Sequence, residues 1–530
     1  MKHQSNPVAI VGGDRRRRKK ILIINCYFPE MREPIKRVNE VPNALAPVLL
    51  AGYFSSDRCD IRLYNEVSSG FIEIHQPDLL GWPDMVVMTG LTATFDRLLH
   101  ITAYARTLNP SVIVVAGGHA VRTLPRYSAK FLDYACPGDV EEIRDVIHDA
   151  LGSAYVSKDF CPRYDLAYWI KRLGYAESSR NCNFRCSFCS LTGVGRSYEV
   201  PSFDYLDMQM ERMGKRWTFF FSDNQVAGDG NKTLGTRLGM VQRRRAAGQF
   251  RHWSGFATDS FFWEDENIRL ARETGCISLF VGVESFDDSD WLSKVNKRQN
   301  SRYSQVDLIR RCLEGGILFQ YGLVFDPVER TVAQMHRELD IICENPEIPG
   351  PNFIFMATPF PGTPDFHQRL ADGRILPNTR IRDLEGSTLC VKPIDPIEDV
   401  VDFIRNGKNF RGYRRRFLAH QMKFLKRYRH SLSLEQKIVS SVATAAIMAP
   451  GFVASPGAIF RRKGQRTHVS TTERLDCVYT PQLHVHSKYR DYFEPTRITD
   501  HAGELNPQLE ADALDTGFKR EAPLKMVASR

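Results

Sequence analysis

Three cysteines stand close together near the middle of the chain, at Cys182, Cys186 and Cys189. Their CxxxCxxC spacing can bring three thiolates to one inorganic centre, and thiolates are the usual ligands of iron–sulfur clusters. A cubane cluster normally has four cysteine ligands, so three would leave one iron open to a substrate. A zinc site with a fourth ligand from elsewhere, or one buried face of a helix, is also compatible with the spacing. The intervening polar residues Asn183 and Arg185 disfavour a buried face, and no HxxxH or second CxxC lies nearby to complete a zinc site.

The cysteines directly follow the first of six predicted strands between about residues 174 and 364. Apolar runs of strand length alternate there with helical stretches such as residues 300–314, which indicates a series of βα units. Six such units form an incomplete barrel, a partial (β/α)6 relative of the eight-unit barrel. Its chemistry is expected on the loops at the carboxyl ends of the strands. The six predicted strands lie around Ala176 and in WTFFFS, FRHWSGFA, ISLFVGVES, ILFQYGLVF and NFIFMATPF.

A second α/β unit is predicted in front of the barrel, over residues 20–150. The runs ILIINCYF, DIRLYNE, MVVMTGL and VIVVAGG read as strands of a parallel sheet, with helices such as residues 94–108 between them. This pattern is typical of a Rossmann-like or flavodoxin-like domain, in which ligands bind beyond the carboxyl ends of the strands. The absence of GxGxxG there argues against a dinucleotide. The predicted binding edge consists of Thr89, Gly90, Thr92 and Thr94 after one strand and Gly117, Gly118 and His119 after the next.

At 530 residues the chain is long enough for two or three domains. Beyond the barrel the pattern becomes helical, basic and then irregular. We predict a basic tail, a Rossmann-like domain, a partial barrel, a helical basic C-terminal region and a disordered final segment. Their predicted boundaries are residues 1–19, 20–150, 165–370, 371–500 and 501–530.

The net charge of +10 is concentrated in two short stretches. Residues 15–20 carry six positive charges and residues 408–430 carry nine, which leaves a net charge of −5 on the rest. The body of the protein is therefore not a basic nucleic-acid-binding surface, and we expect no nucleic-acid partner. Twelve scattered cysteines do not form a disulfide scaffold, so a reducing cytoplasm is the expected location. The N-terminus lacks the apolar core and cleavage site of a signal peptide, and the nearest approach to a membrane span, residues 438–460, is broken by two prolines.

The basic stretch at 408–430 also places aromatic residues largely at helical spacing. A basic amphipathic helix of this kind can lie on an anionic membrane surface, cover the barrel mouth or contact RNA. It can equally be a solvated face whose aromatic residues pack on the barrel. Peripheral membrane contact is therefore one of the predicted options.

The cysteine motif resembles that of the radical S-adenosylmethionine superfamily, CxxxCx(aromatic)C, at Cys182, Cys186, Phe188 and Cys189. The resemblance implies a [4Fe-4S] cluster whose open iron binds the amino and carboxylate groups of S-adenosylmethionine. An electron from the cluster then cleaves the sulfonium to a 5′-deoxyadenosyl radical. The resemblance also implies contacts to S-adenosylmethionine after three barrel strands. The residues in question are Phe188 in the motif, Asp223 and Asn224 after the second strand, and Glu284 and Ser285 after the fourth.

The front domain resembles the cobalamin-binding class of the same superfamily. The resemblance rests on residues 89–94, on the GGHAVRTLP run at 117–125 and on CPGDVEE at 136–142. It implies that Thr89, Thr92, Thr94, Gly117, Gly118, His119 and Gly138 contact the corrinoid. Two departures are visible: DxHxxG is absent, so histidine ligation of cobalt is not supported, and Pro-Gly-Asp at 137–139 replaces the family's Gly-Glu-rich turn.

The combined resemblance predicts a cobalamin-dependent methyltransferase that acts on an unactivated carbon of a natural product, lipid or tetrapyrrole. In this hypothesis methylcobalamin delivers the methyl group to a substrate radical. An oxidative cyclase, hydroxylase or rearrangement enzyme of the same class is the first alternative, and an RNA-modifying enzyme is a remote one. The expected partners are a small-molecule or lipid-like substrate and an electron donor such as flavodoxin or ferredoxin. The expected location is the cytoplasm, with membrane association as an option.

Overall fold

The computed structural model describes residues 18–28, 44–229, 232–408, 410–448 and 479–515, together with residue 469 and residues 524–525. Two sheets organise these residues: five parallel strands of the first lie within residues 19–136, and the second lies within residues 173–356. The basic tail predicted at 1–19 lies almost entirely outside the described residues, as does the second half of the apolar stretch 438–460.

The first five strands of the chain form a sheet in the order 2-1-3-4-5, and each neighbouring pair among them is parallel. This is the flavodoxin-like order, so the predicted parallel sheet is confirmed and its connectivity is now specified. Strand β3 is buried along its whole length, as expected for a central parallel strand. The strands are β1 Lys19–Asn25, β2 Cys59–Asn65, β3 Met85–Thr89, β4 Ile113–Gly117 and β5 Tyr134–Cys136. The helices are α1 Leu45–Ala51, α2 Glu66–Ser69, α3 Ile72–His75, α4 Asp78–Gly81, α5 Phe95–Leu108, α6 His119–Thr123, α7 Pro125–Ser128 and α8 Ile143–Leu151.

The second sheet is a half-barrel of six parallel strands in sequential order. All six predicted strands are confirmed. They are β6 Leu173–Ala176, β7 Thr218–Phe221, β8 His252–Ala257, β9 Cys276–Glu284, β10 Leu318–Phe325 and β11 Phe353–Met356. The helices are α9 Ser190–Val194, α10 Phe203–Met213, α11 Leu234–Ala246, α12 Asp265–Glu273, α13 Ser289–Lys294, α14 Gln305–Glu314, α15 Val332–Glu344 and α16 Pro364–Ala371.

Several barrel helices begin at capping residues that the sequence supplies. The hydroxyl of Ser304 accepts a hydrogen bond from a backbone N–H in the first turn of α14, and Thr331 forms a capping box with Gln334 at the start of α15. Thr363 caps α16, whose first residue is Pro364. These caps satisfy the free N–H groups of the first turn and therefore fix where each loop gives way to its helix.

The helical C-terminal region forms an antiparallel hairpin against the barrel. The region comprises α17 Ile397–Asp402, a π-helical turn at Phe403–Gly407, α18 Arg414–Arg427 and α19 Leu434–Met448, and the hairpin is formed by α18 and α19. Gln436 donates hydrogen bonds of 2.8 Å to the carbonyls of Ile277 and Gly316, which lie at the amino ends of β9 and β10. The hairpin therefore lies at the end of the barrel opposite the catalytic loops, and the option that it covers the barrel mouth is wrong.

The final part of the chain differs from the predicted disordered segment. Residues 479–515 pack along the first domain: the carboxylate of Asp96 accepts hydrogen bonds from Tyr479 and from the backbone of Thr496. Asp512, in α20 Glu510–Ala513, accepts bonds from the backbone of α7. A short strand, β12 Leu524–Lys525, pairs antiparallel with β5. The buried side chains of Leu509 and Ala513 explain why residues up to 515 are fixed despite a polar composition.

Among the described residues, no helix combines the length and apolar character needed to cross a bilayer.

Candidate active site

The three cysteines lie on the loop that joins β6 to α9, at the carboxyl end of the half-barrel. Asn181 precedes them with φ +62°, and a pair of backbone hydrogen bonds between Arg180 and Glu199 closes the loop. Asparagine tolerates this left-handed conformation better than most residues, which explains its position at the sharp turn. Cys189 ends the loop at the N-cap of α9.

The three thiols are buried or partly buried, and hydrogen-bond donors surround them. Burial raises the pKa of all three thiols, that of Cys189 to about 11, whereas the positive charge of Lys297 acts in the opposite direction on each. The side-chain amides of Gln225 and Gln299 approach Cys182 Sγ and Cys186 Sγ at 3.6 and 4.0 Å. Amide donors and a nearby cation stabilise thiolates, which are the form that binds iron.

A buried ion pair lies beside the cysteines. Lys297 Nζ is 2.5 Å from Glu284 Oε1, and their side chains are only 11% and 10% exposed. Burial alone would lower the pKa of Lys297, but Glu284 and Cys186 raise it above its usual value, so the lysine stays charged. Sequence reasoning identified Glu284 but missed Lys297, because a single lysine in a loop carries no motif.

The pair depends on an irregularity in β9. Against β10, the register of β9 gains one residue at Val283, which forms a β-bulge and leaves Glu284 with φ +67°. Asn300 donates to the carbonyls of Gly282 and Val283 and so satisfies the backbone groups at the bulge. A Cβ on Gly282 would come within 2.3 Å of Glu284 Oε1 and 2.7 Å of Lys297 Nζ. Bulges of this kind re-aim side chains next to active sites, and here the bulge presents Glu284 to Lys297.

A second carboxylate, Asp259, lies buried after β8 near this pair. Gln305 donates to one of its oxygens, and burial raises the pKa of Asp259 to about 6. A carboxyl group with this pKa can take up or release a proton near neutral pH. It was not predicted from the sequence.

The aromatic residue of the motif packs rather than points into open space. The ring of Phe188 stacks on Trp291 at 6.3 Å between centroids, and Lys297 Nζ lies 6.0 Å from the Phe188 centroid. Phe188 thus forms a wall between α13 and the cysteine loop.

The other residues predicted to contact S-adenosylmethionine differ in their surroundings. Asn224 lines the cavity described below. Asp223 is fully buried and accepts hydrogen bonds from Ser178 and Ser179, so it positions the chain that leads into the cysteine loop. Ser285 is also buried and donates to Glu338, beneath the loop. For Asp223 and Ser285 the predicted direct contact is therefore not what the geometry shows, because their polar atoms are already engaged inside the protein.

A cavity of about 440 Å³ lies between the carboxyl ends of the two sheets and opens to solvent. One wall comes from the first domain and the other from the barrel, on both sides of the cysteine loop. Parallel sheets present backbone groups and loops at this edge, which is where ligands bind in both fold types. The lining includes Thr89, Gly90, Gly117, Gly118, His119 and Gly138 from the first domain and Glu177, Ser179, Arg180, Asn181, Ser222 and Asn224 from the barrel.

Most of the predicted cobalamin-edge residues line this cavity, but two threonines do not. The hydroxyl of Thr94 donates to Leu91 O, and that of Thr92 lies 3.0 Å from Thr123 Oγ1. Both are buried and hold the turn after β3, so neither hydroxyl faces the cavity.

Glycines line the part of the cavity that the first domain forms. Gly118 has φ +81°, and a Cβ there would come within 2.7 Å of Thr89 Oγ1 and 3.0 Å of Gly90 O. The backbones of the loops after β3 and β4 therefore approach each other more closely than side chains would allow.

His119 lines the cavity as a neutral side chain. Burial, followed by the charge of Arg122, lowers its pKa to about 4. A neutral imidazole can accept a hydrogen bond from a ligand or donate one to it, without adding charge.

Ion pairs hold the two walls together. Asp139, from the altered Pro-Gly-Asp turn, pairs with Arg122 in its own domain and lies 2.5 Å from Arg196 of the barrel. Arg180, two residues before Cys182, lies 2.8 Å from Glu141 of the first domain. The turn that departs from the family pattern thus contacts the barrel just after α9, and Glu141 contacts it just before the cysteines.

The chemistry of this donor set fits an iron–sulfur cluster. Within the ranges that the structure describes, no three His, Cys, Asp or Glu side chains lie close enough together to hold one ion. A cubane instead holds its thiolates on separate irons. Three cysteines on one loop, with amide donors and a buried cation beside them, match that requirement.

Comparison with known protein families matches residues 177–331 to the radical SAM superfamily. The matched range begins at the end of β6 and includes the cysteine loop, Glu284 and Lys297.

A curated relative is the bacteriochlorophyllide d C-8(2)-methyltransferase of Chlorobaculum tepidum. It is 24% identical over 327 residues, which cover 55% of this chain and 69% of that protein.

Two solved structures align with this chain at low sequence identity. The radical S-adenosylmethionine methyltransferase TsrM from Kitasatospora setae, solved with tryptophan substrate and a SAM analog bound, aligns with a TM-score of 0.51 and 17% identity. The alignment covers 68% of this chain and 78% of that chain. The cobalamin-dependent S-adenosylmethionine radical enzyme OxsB, with aqua-cobalamin and S-adenosylmethionine bound, aligns with a TM-score of 0.48 and 16% identity. That alignment covers 63% of this chain but only 53% of OxsB, so the chain spans about half the length of that enzyme.

The family match, the half-barrel and the three-cysteine loop agree with one another. The chain therefore contains a radical SAM domain, whose family implies a [4Fe-4S] cluster and S-adenosylmethionine.

Proposed function

We propose that the protein is a cobalamin-dependent radical SAM methyltransferase that acts on an unactivated carbon. The observation that carries the proposal is the cavity shared by the carboxyl ends of both sheets. A flavodoxin-like domain that binds one cofactor at this edge faces a barrel that binds another at the equivalent edge, so a substrate between them would meet both.

In this proposal Cys182, Cys186 and Cys189 hold the cluster, and Gln225 and Gln299 donate to their sulfurs. When bound, the cluster supplies the electron that cleaves S-adenosylmethionine, and the corrinoid supplies the transferable methyl group. Lys297, held by Glu284, places a positive charge beside the cysteines, where the carboxylate of S-adenosylmethionine would need a counterion. The apolar wall of Phe188 and Trp291 excludes water from the same side.

The first domain contributes a neutral, close-fitting surface. Gly117, Gly118 and Gly138 let the backbone approach a large ligand, and His119 stays uncharged. No histidine motif for cobalt ligation is present in the sequence, so the proposal assigns no cobalt ligand to this chain.

The substrate class is a small or lipid-like molecule. The names of two similar proteins support this, since one is a bacteriochlorophyllide methyltransferase and the other was solved with a tryptophan substrate. A reduced flavodoxin or ferredoxin is proposed as the electron donor.

Corrinoid retention tests the part of the proposal that rests on the cavity. The protein is reconstituted anaerobically with iron and sulfide, incubated with hydroxocobalamin and desalted, and the corrinoid is then quantified by its absorption. We expect close to one corrinoid per chain. The retained corrinoid is then reduced to cob(I)alamin with a low-potential chemical reductant, and incubation with S-adenosylmethionine that carries a CD3 group should transfer that group to the cobalt.

Two matched variants make the test specific. Leu91 lines the cavity and Ile394 does not, and both are 47% exposed. Leu91→Trp should lower corrinoid retention at least about tenfold, because a bulky ring would occupy part of the cavity, whereas Ile394→Trp should retain it. Failure of the wild-type protein to retain any corrinoid, or equal retention by both variants, would overturn the proposal.

A further inference from the structure

The helical hairpin formed by α18 and α19 has an outer face with an unusual composition. α18 packs Phe417 and Phe424 inward, and α19 packs Gln436, Ser440 and Thr444 inward. The two helices are joined side by side, since Gln421 hydrogen-bonds to both Ser440 and Thr444. The buried aromatic residues of the basic stretch therefore attach the hairpin to the barrel, whereas Leu418, Met422 and most of the cations of α18 are exposed.

Exposed aliphatic side chains follow the outer side of each helix. Leu418 and Met422 are one helical turn apart on α18, and Met422 is 68% exposed. Leu434 and Ile438 repeat the same spacing on α19, next to the exposed Val439. We call these five residues the hairpin surface. Scattered exposed aliphatic residues are ordinary, but here they recur at helical spacing on the solvent-facing sides of two adjacent helices.

Cations flank the α18 part of this surface. Arg415, Leu418, Met422 and Lys426 run along one side of α18, so the two aliphatic residues have positive charge at both ends. Arg411, Arg414, Arg415, Lys423 and Lys426 have no ion-pair partner among the described residues, in contrast to Arg416 and Arg427, which pair with α15 and with the loop that follows it. No acidic residue occurs in the sequence between Asp402 and Glu435.

We propose that the hairpin surface docks on a membrane containing anionic phospholipid. A helix that combines exposed aliphatic residues with surrounding Lys and Arg can insert its apolar side chains at the headgroup boundary while the cations contact lipid phosphates. Nucleic acid fits this surface less well. Phosphates gain nothing from aliphatic neighbours, and the aromatic residues that could stack on bases are buried against the barrel.

The position of the hairpin gives docking a defined consequence. Gln436 attaches α19 to the amino ends of β9 and β10, whereas the cysteine loop and the cavity lie at the carboxyl ends. A protein docked through the hairpin surface would therefore keep its active-site opening directed away from the bilayer. The proposal does not depend on the proposed methyltransferase activity.

Co-sedimentation of the full-length protein with sucrose-loaded vesicles tests the proposal. The vesicles contain phosphatidylcholine alone or with about 30% phosphatidylglycerol. We expect binding to the anionic vesicles at low salt, at least about tenfold weaker binding to the neutral ones, and a marked loss of binding at about 0.5 M salt.

Three variants separate the contributions. Ile438→Glu should weaken binding to anionic vesicles at least about tenfold, and Arg415→Glu with Lys426→Glu should do so to a similar extent. Ile74→Glu is the matched control: Ile74 is 53% exposed, as is Ile438, but lies on the first domain. It should leave binding within about twofold of the wild type, because it introduces the same charge away from the hairpin.

All variants should retain the thermal midpoint of the wild type and its cleavage of S-adenosylmethionine, which shows that lost binding is not misfolding. Equal binding to neutral and anionic vesicles, or equal loss with Ile74→Glu and Ile438→Glu, would overturn the proposal. Tight, salt-sensitive binding to transfer RNA without binding to vesicles would also overturn it and assign the surface to nucleic acid.

Discussion

Replacement of Lys297 by methionine should destabilise the barrel strongly, because it leaves Glu284 charged and without its partner inside the protein. The two groups lie 2.5 Å apart, with side chains 11% and 10% exposed. Removal of one member of such a buried pair costs about 3–5 kcal/mol. That is a large part of the roughly 5–15 kcal/mol that stabilises a typical protein.

A nearby lysine provides the matched control. Lys294 Nζ lies 2.6 Å from Glu329 Oε2, almost the same distance, but these side chains are 63% and 34% exposed. Exposed pairs contribute about 0–1 kcal/mol, so Lys294→Met should change stability by no more than that. The comparison separates burial from distance, since only burial differs between the two pairs.

The double variant Lys297→Met with Glu284→Gln completes the test. It removes both charges, so we expect it to recover most of the stability that Lys297→Met loses. The measurement is urea unfolding of the cluster-free protein under anaerobic reducing conditions, followed by tryptophan fluorescence. If Lys297→Met costs no more than Lys294→Met, or if the double variant is as unstable as the single one, the description of this pair is wrong.

Three further predictions concern the bulge, the cavity and the domain interface. Gly282→Ala should lower the rate of S-adenosylmethionine cleavage at least about tenfold with little loss of iron, because the new methyl group displaces the Lys297–Glu284 pair rather than the cysteines; equal rates in a single-turnover assay would contradict this. Because the pKa of His119 is lowered to about 4, the unfolded chain binds a proton below about pH 6.5 that the folded chain excludes. The free energy of unfolding should therefore fall by about 3 kcal/mol more between pH 7 and pH 4 in the wild type than in His119→Gln, and identical pH profiles in denaturant titrations would refute the assignment. Asp139→Asn should accelerate proteolysis between the two domains, since it weakens the contacts with Arg122 and Arg196; an unchanged cleavage rate would show that the ion pairs do not hold the interface.

The sequence was sufficient to predict the elements that repeat and the one motif with fixed spacing. Six apolar runs gave the six barrel strands, and the cysteine spacing gave the loop after β6. Both patterns involve residues close together in the sequence, so they can be recognised without knowledge of the fold. Strand β5, only three residues long, carries too short an apolar run to be recognised in this way.

Residues that act through tertiary contacts could not be found by the same means. Lys297 is one of 72 lysines and arginines, and only its burial beside Glu284 and the cysteines distinguishes it. Gln225 and Gln299 contact the cysteines because the fold brings distant parts of the chain beside them, and no sequence pattern marks either residue. In the other direction, Thr92 and Asp223 stand where a ligand contact was expected, but their polar atoms are used for a turn and for a loop.

The C-terminal region shows the same distinction. The helical spacing of its aromatic residues indicated an amphipathic helix, and α18 buries Phe417 and Phe424 on the barrel, which was one of the options left open. Which end of the barrel it packs against depends on hydrogen bonds such as those of Gln436, and spacing alone contains no information on them.

The most direct measurement of the central claim compares two cysteine variants after anaerobic reconstitution. Cys182 belongs to the motif and Cys161 does not, and both are partly exposed. The wild type and Cys161→Ala should show iron–sulfur absorption, about four irons per chain and reductive cleavage of S-adenosylmethionine, and Cys182→Ala should lose all three. A colourless wild-type protein that holds zinc, or a Cys182→Ala variant that cleaves S-adenosylmethionine at the wild-type rate, would contradict it.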